Sequence, residues 1–241
     1  MEINKNAVIV SLLLALGGIL LAFADAFYFM TESKIWIGIG CSLLASSLVI
    51  LLNALLVDRV RADPLREWGI EKAYDSRQAK NADADPSLEH AHFRVDGVAF
   101  GLSAFRSKNC ERVESAMARG VNFRFLVMDP DSPYASQRDK EEGNKTGHIA
   151  KTIHGLVDWA NELNKKGFRG KIEVRGYQCM TLDFYWRIDD DIYIGPYWYN
   201  RPSSGTITYK FTPSGRCAKL YAEYFEQLWH APGMRTLTDN L

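Results

Sequence analysis

The sequence predicts an α/β domain preceded by a hairpin of two membrane-spanning helices, and three observations lead to this prediction. Two long apolar runs, residues 7–23 and 35–57, carry no charged side chain. The charged residues are concentrated after residue 57, although the whole chain of 241 residues has 29 basic and 29 acidic side chains and a net charge of +0. From residue 93 onward, strand-like and helix-like patterns alternate, which is typical of α/β domains.

The first 60 residues are interpreted as a transmembrane hairpin, with spans at residues 7–29 and 35–57. About 20 apolar residues are enough to cross a hydrocarbon core of roughly 30 Å. The second run therefore spans a bilayer by itself, and the first does so by including the apolar residues 26–30. Only four polar residues, 31–34, separate the two runs, which makes a tight hairpin.

Basic residues near the ends of the spans predict the orientation. Arg59, Arg61 and Arg66 follow the second span, whereas the hairpin tip carries only Lys34. Both termini are therefore expected in the cytoplasm. An alternative is a cleaved signal peptide that ends at the A-x-A sequence of residues 24–26, and it leaves the second span in place.

Residues 61–92 are interpreted as a juxtamembrane helix and linker, and residues 93–241 as a cytoplasmic α/β domain. Asp63-Pro64 ends the second span, residues 65–79 are amphipathic, and residues 81–92 are polar. The order of elements in the domain is βα-βα-β-ββ-β-α. The predicted strands are 93–105, 121–129, 171–178, two in 182–200 and one in 205–213, and the predicted helices are 107–120, 148–167 and 214–230.

Particular residues set three of these boundaries. Ser107 is a good N-cap and Gly120 a good C-terminal stop for the first helix of the domain. Asp189-Asp190-Asp191 predicts a turn between two strands, because aspartate favours turns. The polar stretch 130–147 is expected to be a surface loop, and the last eleven residues are expected to fray.

Residues 101–133, 177–196 and 201–206 together resemble one half of a phospholipase-D-like fold. The resemblance consists of a strand ending in Gly-x-Ser, a helix ending in Arg-Gly-Val, and a strand ending in Asp-Pro. Active members of that family carry H-x-K-x-x-x-x-D before a turn. Counting back from Asp189 or Asp190 places Phe184 or Tyr185 at the lysine position, and Leu182 or Asp183 at the histidine position. The resemblance therefore implies an αβ sandwich that lacks the catalytic motif and is not an enzyme.

A two-helix hairpin before such a domain resembles the two-transmembrane β-rich effectors of cyclic-oligonucleotide anti-phage systems of the CBASS and Panoptes kind. That resemblance implies a homo-oligomer in the bacterial inner membrane, a dimer or larger. Its cytoplasmic domain would bind a cyclic di- or trinucleotide that controls membrane disruption by the hairpin. No cofactor other than this ligand is implied.

Candidate ligand-binding residues follow from the chemistry of a cyclic oligonucleotide, which needs donors for phosphates and flat faces for bases. The neutral net charge argues against a DNA or RNA polymer as partner. The start of the first domain helix offers backbone N–H groups to an anion. Stacking and phosphate contacts are expected from residues near three other strand ends. The candidates are Ser103, Arg106, Ser107, Arg187, Tyr197, Tyr199, Arg201, Ser203, Ser204 and Lys210.

Two other functions remain open from the sequence. One is a membrane-tethered phosphodiesterase or phospholipase, in which Asp129 and the aspartates of residues 189–191 would bind metal ions. The other is a membrane-anchored scaffold that binds no small ligand.

Overall fold

The computed structural model describes residues 5–25, 35–60, 67–179 and 183–239, without the side chains of residues 5 and 55–60. The chain forms two compact units, Met1–Pro64 and Leu65–Leu241.

The first unit consists of two apolar helices, α1 (Lys5–Ala24) and α2 (Ile35–Val60). Both contain a stretch that is long and apolar enough to cross a membrane, which confirms the prediction of two such helices. The predicted extension of the first span over residues 26–29 and the hairpin tip lie outside the described residues, as do Arg61 and Arg66 and the side chain of Arg59. The orientation of the termini therefore stays a prediction.

Small residues bring α1 and α2 into close contact. A Cβ atom added to Gly40 would lie 2.6 Å from the carbonyl oxygen of Gly18, and one added to Gly18 would lie 2.8 Å from that of Gly40. The Ser11 hydroxyl donates a hydrogen bond of 2.9 Å to the carbonyl oxygen of Ser47 on the other helix. The helices thus pack through backbone surfaces, as small residues allow in membrane helices.

The second unit is built on one mixed sheet of eight strands in the order β1-β7-β6-β5-β2-β3-β4-β8. The neighbours β2, β3 and β4 are parallel, and every other pair is antiparallel. The strands are β1 (Ile70–Tyr74), β2 (Arg94–Ala99), β3 (Asn122–Met128), β4 (Ile172–Tyr177), β5 (Asp183–Ile188), β6 (Asp191–Pro196), β7 (Thr208–Phe211) and β8 (Arg235–Thr236). The predicted α/β class is confirmed.

Five helices of this unit pack on or beside the sheet. They are α3 (Arg77–Ala84), α4 (Ser103–Arg119), α5 (Pro133–Glu141), α6 (His148–Lys165) and α7 (Arg216–Trp229). Phe105 of α4 packs edge-to-face on Trp186 of β5, whereas Phe225 of α7 stacks on the adjacent Tyr185. Because successive side chains of a strand point to opposite faces, α4 and α7 cover opposite faces of the sheet.

Residues 67–92 differ from their interpretation as a juxtamembrane helix and linker. They contain β1, α3 and a short 3₁₀ helix, Asp85–His90, and β1 pairs with β7 at the edge of the sheet. Helix α3 begins after Ser76, whose hydroxyl accepts a hydrogen bond of 3.1 Å from the Ala79 N–H. Because the segment is polar in composition, its sequence does not reveal that one face of α3 is buried.

Three boundaries also differ from the sequence prediction. Helix α4 begins at Ser103, one turn before the predicted cap Ser107, because Leu102 at its N-cap adopts a left-handed backbone with φ 52°. The stretch 130–147, predicted to be a loop, contains α5, whose N-cap is Ser132. The tail does not fray throughout, since Arg235–Thr236 pairs with β4.

The turn at Asp189 fixes the edge of the sheet where β2 begins. Its carboxylate accepts hydrogen bonds from the backbone N–H groups of His92, Phe93 and Arg94 at 2.8, 2.8 and 3.0 Å. Asp189 itself has φ 49°, a left-handed conformation that aspartate tolerates better than most residues. The predicted turn is present, and its Asp189 carboxylate links it by hydrogen bonds to the segment that leads into β2.

A partly buried cluster of ion pairs joins the sheet to α7. Arg124 of β3 bonds the fully buried Asp96 of β2 at 2.7 Å and Glu226 of α7 at 2.7 Å. Its guanidinium also lies 4.9 Å from the ring centre of Phe225. The two carboxylates raise the pKa of Arg124, so the group stays charged and fully partnered.

Replacing Asp189 with alanine should destabilise the protein by about 2 kcal/mol, because three N–H groups lose a charged acceptor. The Asp190→Ala variant is the control, since the Asp190 side chain is 84% exposed and should tolerate the change. Chemical denaturation of the full chain in detergent measures both. Equal stability of the two variants would contradict the structural role of Asp189.

In the hairpin, Gly40→Ala should force α1 and α2 apart and destabilise their contact by about 1–3 kcal/mol, the usual cost of overpacking. Gly38→Ala provides the matched control, because an added Cβ there meets no atom within 4 Å. Unfolding of the two variants by titration with a denaturing detergent gives the comparison. An unchanged midpoint for Gly40→Ala would show that the close backbone contact is not needed.

Candidate functional site

A cavity of about 270 Å³ lies beyond the strand ends at one side of the sheet, where β2 and β6 end and β5 begins. Ligands of α/β proteins bind beyond the carboxyl ends of strands in this way. Its lining combines cationic, aromatic and small polar side chains with the backbone at the start of α4. The lining residues are Arg77, Lys80, Asn81, Asp85, Ala99–Phe105, Glu142, His148, Ile149, Thr152, Phe184, Trp186, Tyr197 and Pro202–Ser204.

The start of α4 forms one wall of the cavity. Backbone N–H groups in the first turn of a helix have no partner within the helix, and the helix dipole favours an anion there. Gly101 precedes this turn and lies directly against α6, because an added Cβ would come within 2.3 Å of the Thr152 hydroxyl oxygen. A side chain at residue 101 would therefore push the α4 N-terminus away from α6.

Lys80 of α3 is the most deeply buried cationic group of the cavity, with 1% of its surface exposed. Its ammonium lies 5.1 Å from the ring centres of Trp186 and Tyr193 and 5.3 Å from that of Phe184. Its hydrogen bond in the described part of the chain goes to the Asn81 side-chain oxygen at 3.0 Å. Burial, opposed by Asp85 and assisted by nearby Arg77, lowers the pKa of Lys80 to about 7.

Arg77 lies one turn earlier on α3 and is also buried, at 7% exposure. Its guanidinium stacks 4.0 Å from the ring centre of Phe184 and donates to the Thr206 hydroxyl at 3.0 Å. The Nε atom is buried without a hydrogen-bond partner among the described residues. Burial lowers the pKa of Arg77, but an arginine stays protonated in proteins. The two basic groups lie within one helical turn, so the charge of Arg77 disfavours protonation of Lys80.

The acidic side chains of the cavity are already engaged by other groups. Glu142 accepts hydrogen bonds from Arg138 at 2.7 Å and from the Ser203 hydroxyl at 2.8 Å. Asp85 accepts a hydrogen bond of 2.9 Å from the Asn109 side-chain amide. Arg77 and Lys80 thus face the cavity without a dedicated carboxylate partner.

Arg138 of α5 fixes the segment that closes the cavity on the side of β6. Its guanidinium donates to the carbonyl oxygens of Trp198 and Arg201 at 3.1 and 3.3 Å. It also lies 5.6 Å from the ring centre of Tyr197, which packs on Phe100 with 4.2 Å between ring centres. Burial raises the pKa of Tyr197, so its phenol is neutral and presents a flat face to the cavity wall.

The structure brings four of the predicted site residues to the cavity. Ser103 lies at the start of α4, Tyr197 follows β6, and Ser203 and Ser204 belong to a short 3₁₀ turn. They come from two separate parts of the sequence, which meet because β2 and β6 end at the same edge of the sheet.

Six predicted site residues do not line the cavity. Arg106 donates to the carbonyl oxygens of Gly155 and Thr152, and Ser107 to that of Ala104, so both stabilise helices. Arg187 donates to the Asp189 carbonyl oxygen. The remaining three lie elsewhere on the surface or in ion pairs: Tyr199 is 81% exposed, Arg201 stacks on Trp198, and Lys210 pairs with Asp191 and Glu71.

Sequence reasoning missed the two cations that dominate the cavity. The available signal was the N-cap Ser76 followed by Arg77, Lys80 and Ala84, which share one helical face by their spacing. That pattern is too short and too polar to identify a buried face. Phe184 and Trp186 were considered only as replacements for catalytic residues or as strand residues, yet they form the aromatic floor.

The aspartates considered as a metal cluster serve other roles. Asp189 binds backbone N–H groups, Asp191 pairs with Lys210, and Asp129 is fully buried with Arg235 at 2.9 Å. Within residues 5–25, 35–60, 67–179 and 183–239, no group of three or more His, Cys, Asp or Glu side chains is placed to hold a metal ion.

No protein-family model and no curated protein matches the sequence. Among solved structures, TrmBL2, described as an archaeal chromatin protein with a novel mode of DNA binding, is 15% identical at a TM-score of 0.43, covering 85% of this chain and 69% of that chain. Nuc from Salmonella typhimurium, a phospholipase D family member, is 10% identical at 0.40, with 67% and 93% covered. NucT from Helicobacter pylori is 10% identical at 0.41, with 68% and 97% covered. At these identities and TM-scores, none of the three carries an argument about activity or ligand.

The Lys80→Met variant should be more stable than the wild type at pH 6, and this difference should shrink as the pH rises from 7 to 10. An unfolded lysine has a pKa of about 10.4, and that of folded Lys80 is about 7. Between these values the unfolded wild type binds more protons than the folded one, so its stability rises by about 1.4 kcal/mol per pH unit.

Urea unfolding of the full chain in detergent at several pH values measures this difference. Lys72→Met is the control, because the Lys72 side chain is 52% exposed and should show no comparable trend. Parallel pH profiles for the wild type and Lys80→Met would contradict the burial of a titrating amine.

Proposed function

We propose that this protein is a membrane-attached receptor for a cyclic oligonucleotide and acts as an effector of an anti-phage defence system. In this proposal the ligand binds in the cavity of the α/β unit and controls disruption of the bacterial inner membrane by the hairpin. The observation that carries the proposal is the pair of buried basic side chains, Arg77 and Lys80, which line the cavity and form no ion pair with a carboxylate among the described residues.

The cations favour a phosphate-containing ligand. A buried charge is costly unless it is paired, and the carboxylates of Glu142 and Asp85 are held by other groups. A phosphodiester would supply the missing negative charge and accept hydrogen bonds from Lys80, from the Arg77 Nε and from the first turn of α4. Helix N-termini bind phosphate groups by the same geometry.

The aromatic residues of the cavity favour a nucleotide over a simple phosphate. Phe184, Trp186, Tyr197 and Phe100 contribute flat faces, and stacking of a base on such a ring contributes about 1–3 kcal/mol. Small-molecule cavities usually measure about 300–1,000 Å³, so a volume of about 270 Å³ accommodates part of a cyclic oligonucleotide. We expect one nucleotide unit inside the cavity and the remainder covered by a second copy of the domain.

The order of elements along the chain supports coupling between ligand and hairpin. Helix α3, which supplies both cations, is separated from α2 only by residues 61–66 and by β1 with its flanking residues. A ligand that orders α3 in one assembly state and not in another would shift the equilibrium between them, since only differential affinity can do so.

The test is a thermal-shift screen of the full chain in detergent against cyclic di- and trinucleotides. Ligand at a hundredfold excess over Kd should stabilise the protein by about 2.7 kcal/mol, and Arg77→Met should abolish the shift. Arg216→Met is the control, because Arg216 is exposed on α7 and outside the cavity. Arg201→Ala should retain most of the shift, since the Arg201 side chain stacks on Trp198 instead of facing the cavity.

Recovery of the nucleotide after incubation separates the remaining alternatives. Intact ligand supports a receptor, whereas cleaved ligand with loss of cleavage in Arg77→Met would support the phosphodiesterase. Absence of a shift with every nucleotide in a folded sample would favour the scaffold. For the effector role, cells that make the active nucleotide should take up a membrane-impermeant dye with the wild-type chain and not with Arg77→Met.

A further inference from the structure

We propose that Lys80 is an uncharged amine in the empty cavity and takes up one proton when an anionic ligand binds. Ligand binding would then be linked to proton uptake, and the cavity would select charged ligands over neutral ones. This inference rests on the proposed role of the same cavity as an anion-binding site.

The surroundings of Lys80 suit an amine better than an ammonium. An ammonium has three N–H donors, and among the described residues Lys80 has one hydrogen-bond acceptor, the neutral side-chain amide of Asn81. The three rings around it attract a cation by their quadrupoles. The side chain is 1% exposed, however, and burial of an ammonium removes most of its hydration, which is costly without charged partners.

Among the described residues no carboxylate forms an ion pair with Lys80, although Asp85 is near enough to raise its pKa. Asp83 on the same helix accepts hydrogen bonds from Tyr74 and Lys72, and Asp85 accepts one from Asn109. The charged or titratable groups that share its cavity or pack beside it are Arg77, Asp85, Glu142, His148, Tyr74, Tyr193 and Tyr197. Among them, burial and Arg77 lower the pKa of Lys80 to about 7, against the opposing effect of Asp85.

An entering phosphodiester reverses this balance. Its negative charge lies next to the amine and favours the protonated form, so a proton passes from solvent to Nζ and the resulting N–H group donates to a phosphate oxygen. No covalent bond forms or breaks, and the phosphodiester keeps its single negative charge. The pair that forms carries no net charge, which lowers the cost of holding both groups in the buried site.

We expect the proton uptake to approach one per bound ligand at pH 8 and to be smaller at pH 6. Isothermal titration calorimetry of the full chain in two buffers of different ionisation enthalpy gives this number directly. The probes are the cyclic di- and trinucleotides of the screen. Sulfate serves as a non-nucleotide anion, and its binding is measured by thermal shift. Above the pKa of the empty-state amine, the affinity should weaken by about tenfold per pH unit.

Two variants and one control isolate Lys80. Lys80→Met should abolish proton uptake and weaken anion binding, whereas Lys80→Arg keeps a permanent cation and should bind without taking up a proton. Should Lys80→Met fail to fold, Lys80→Arg and the wild type still give the comparison. Lys219→Met should behave as the wild type, since Lys219 is exposed on α7 and lies outside the cavity lining.

The outcomes separate this inference from the proposed function. Nucleotide binding with no proton uptake at pH 8 would overturn the linkage and leave the receptor intact. Sulfate stabilisation that weakens with rising pH in the wild type and not in Lys80→Arg, without any nucleotide binding, would support the linkage and overturn the nucleotide ligand. Absence of binding by every anion would overturn both.

Discussion

The burial of two basic side chains within one turn of α3 is the constraint on which the candidate site depends. Arg77 and Lys80 lie on the inward face of that helix because Ser76 starts it there and β1 anchors the preceding chain to the edge of the sheet. Aromatic rings of β5 and β6 pack against the ends of these two side chains. An apolar helix would cover this face of the sheet at lower cost, because buried basic groups are costly without partners.

The opposite face of the sheet shows how this protein treats a buried charge that has a structural role. Arg124 is held by Asp96 and Glu226 with short hydrogen bonds, and its guanidinium also stacks on Phe225. Every strong group in that cluster has a partner, which is the usual condition for buried ions. On one face of the sheet an arginine is paired with two carboxylates, whereas on the other face Arg77 and Lys80 form no ion pair among the described residues.

Much of the fold of residues 93–230 is encoded in local patterns that the sequence reveals. Alternating strands and helices, the turn at residues 189–191 and the amphipathic α6 were predictable because each has its own periodicity or turn residue. Strand β1 and helix α3 were not, since their burial comes from pairing with β7 and packing on β5, which are distant in the sequence. The site follows the same rule: Ser103, Tyr197, Ser203 and Ser204 follow strand ends and could be predicted, whereas Lys80 could not. Arg106 and Arg187 were misassigned because an arginine beside a strand or helix end often bonds backbone carbonyls instead.

The pairing of β1 with β7 also has a consequence for biosynthesis. The ribosome releases the apolar helices and β1 early, but the partner strand Thr208–Phe211 and the floor residues of β5 emerge late. Helix α3 is therefore synthesised well before the strands that bury it. Since the candidate site forms only when the chain is almost complete, nascent and truncated chains would carry the two apolar helices without a formed cavity.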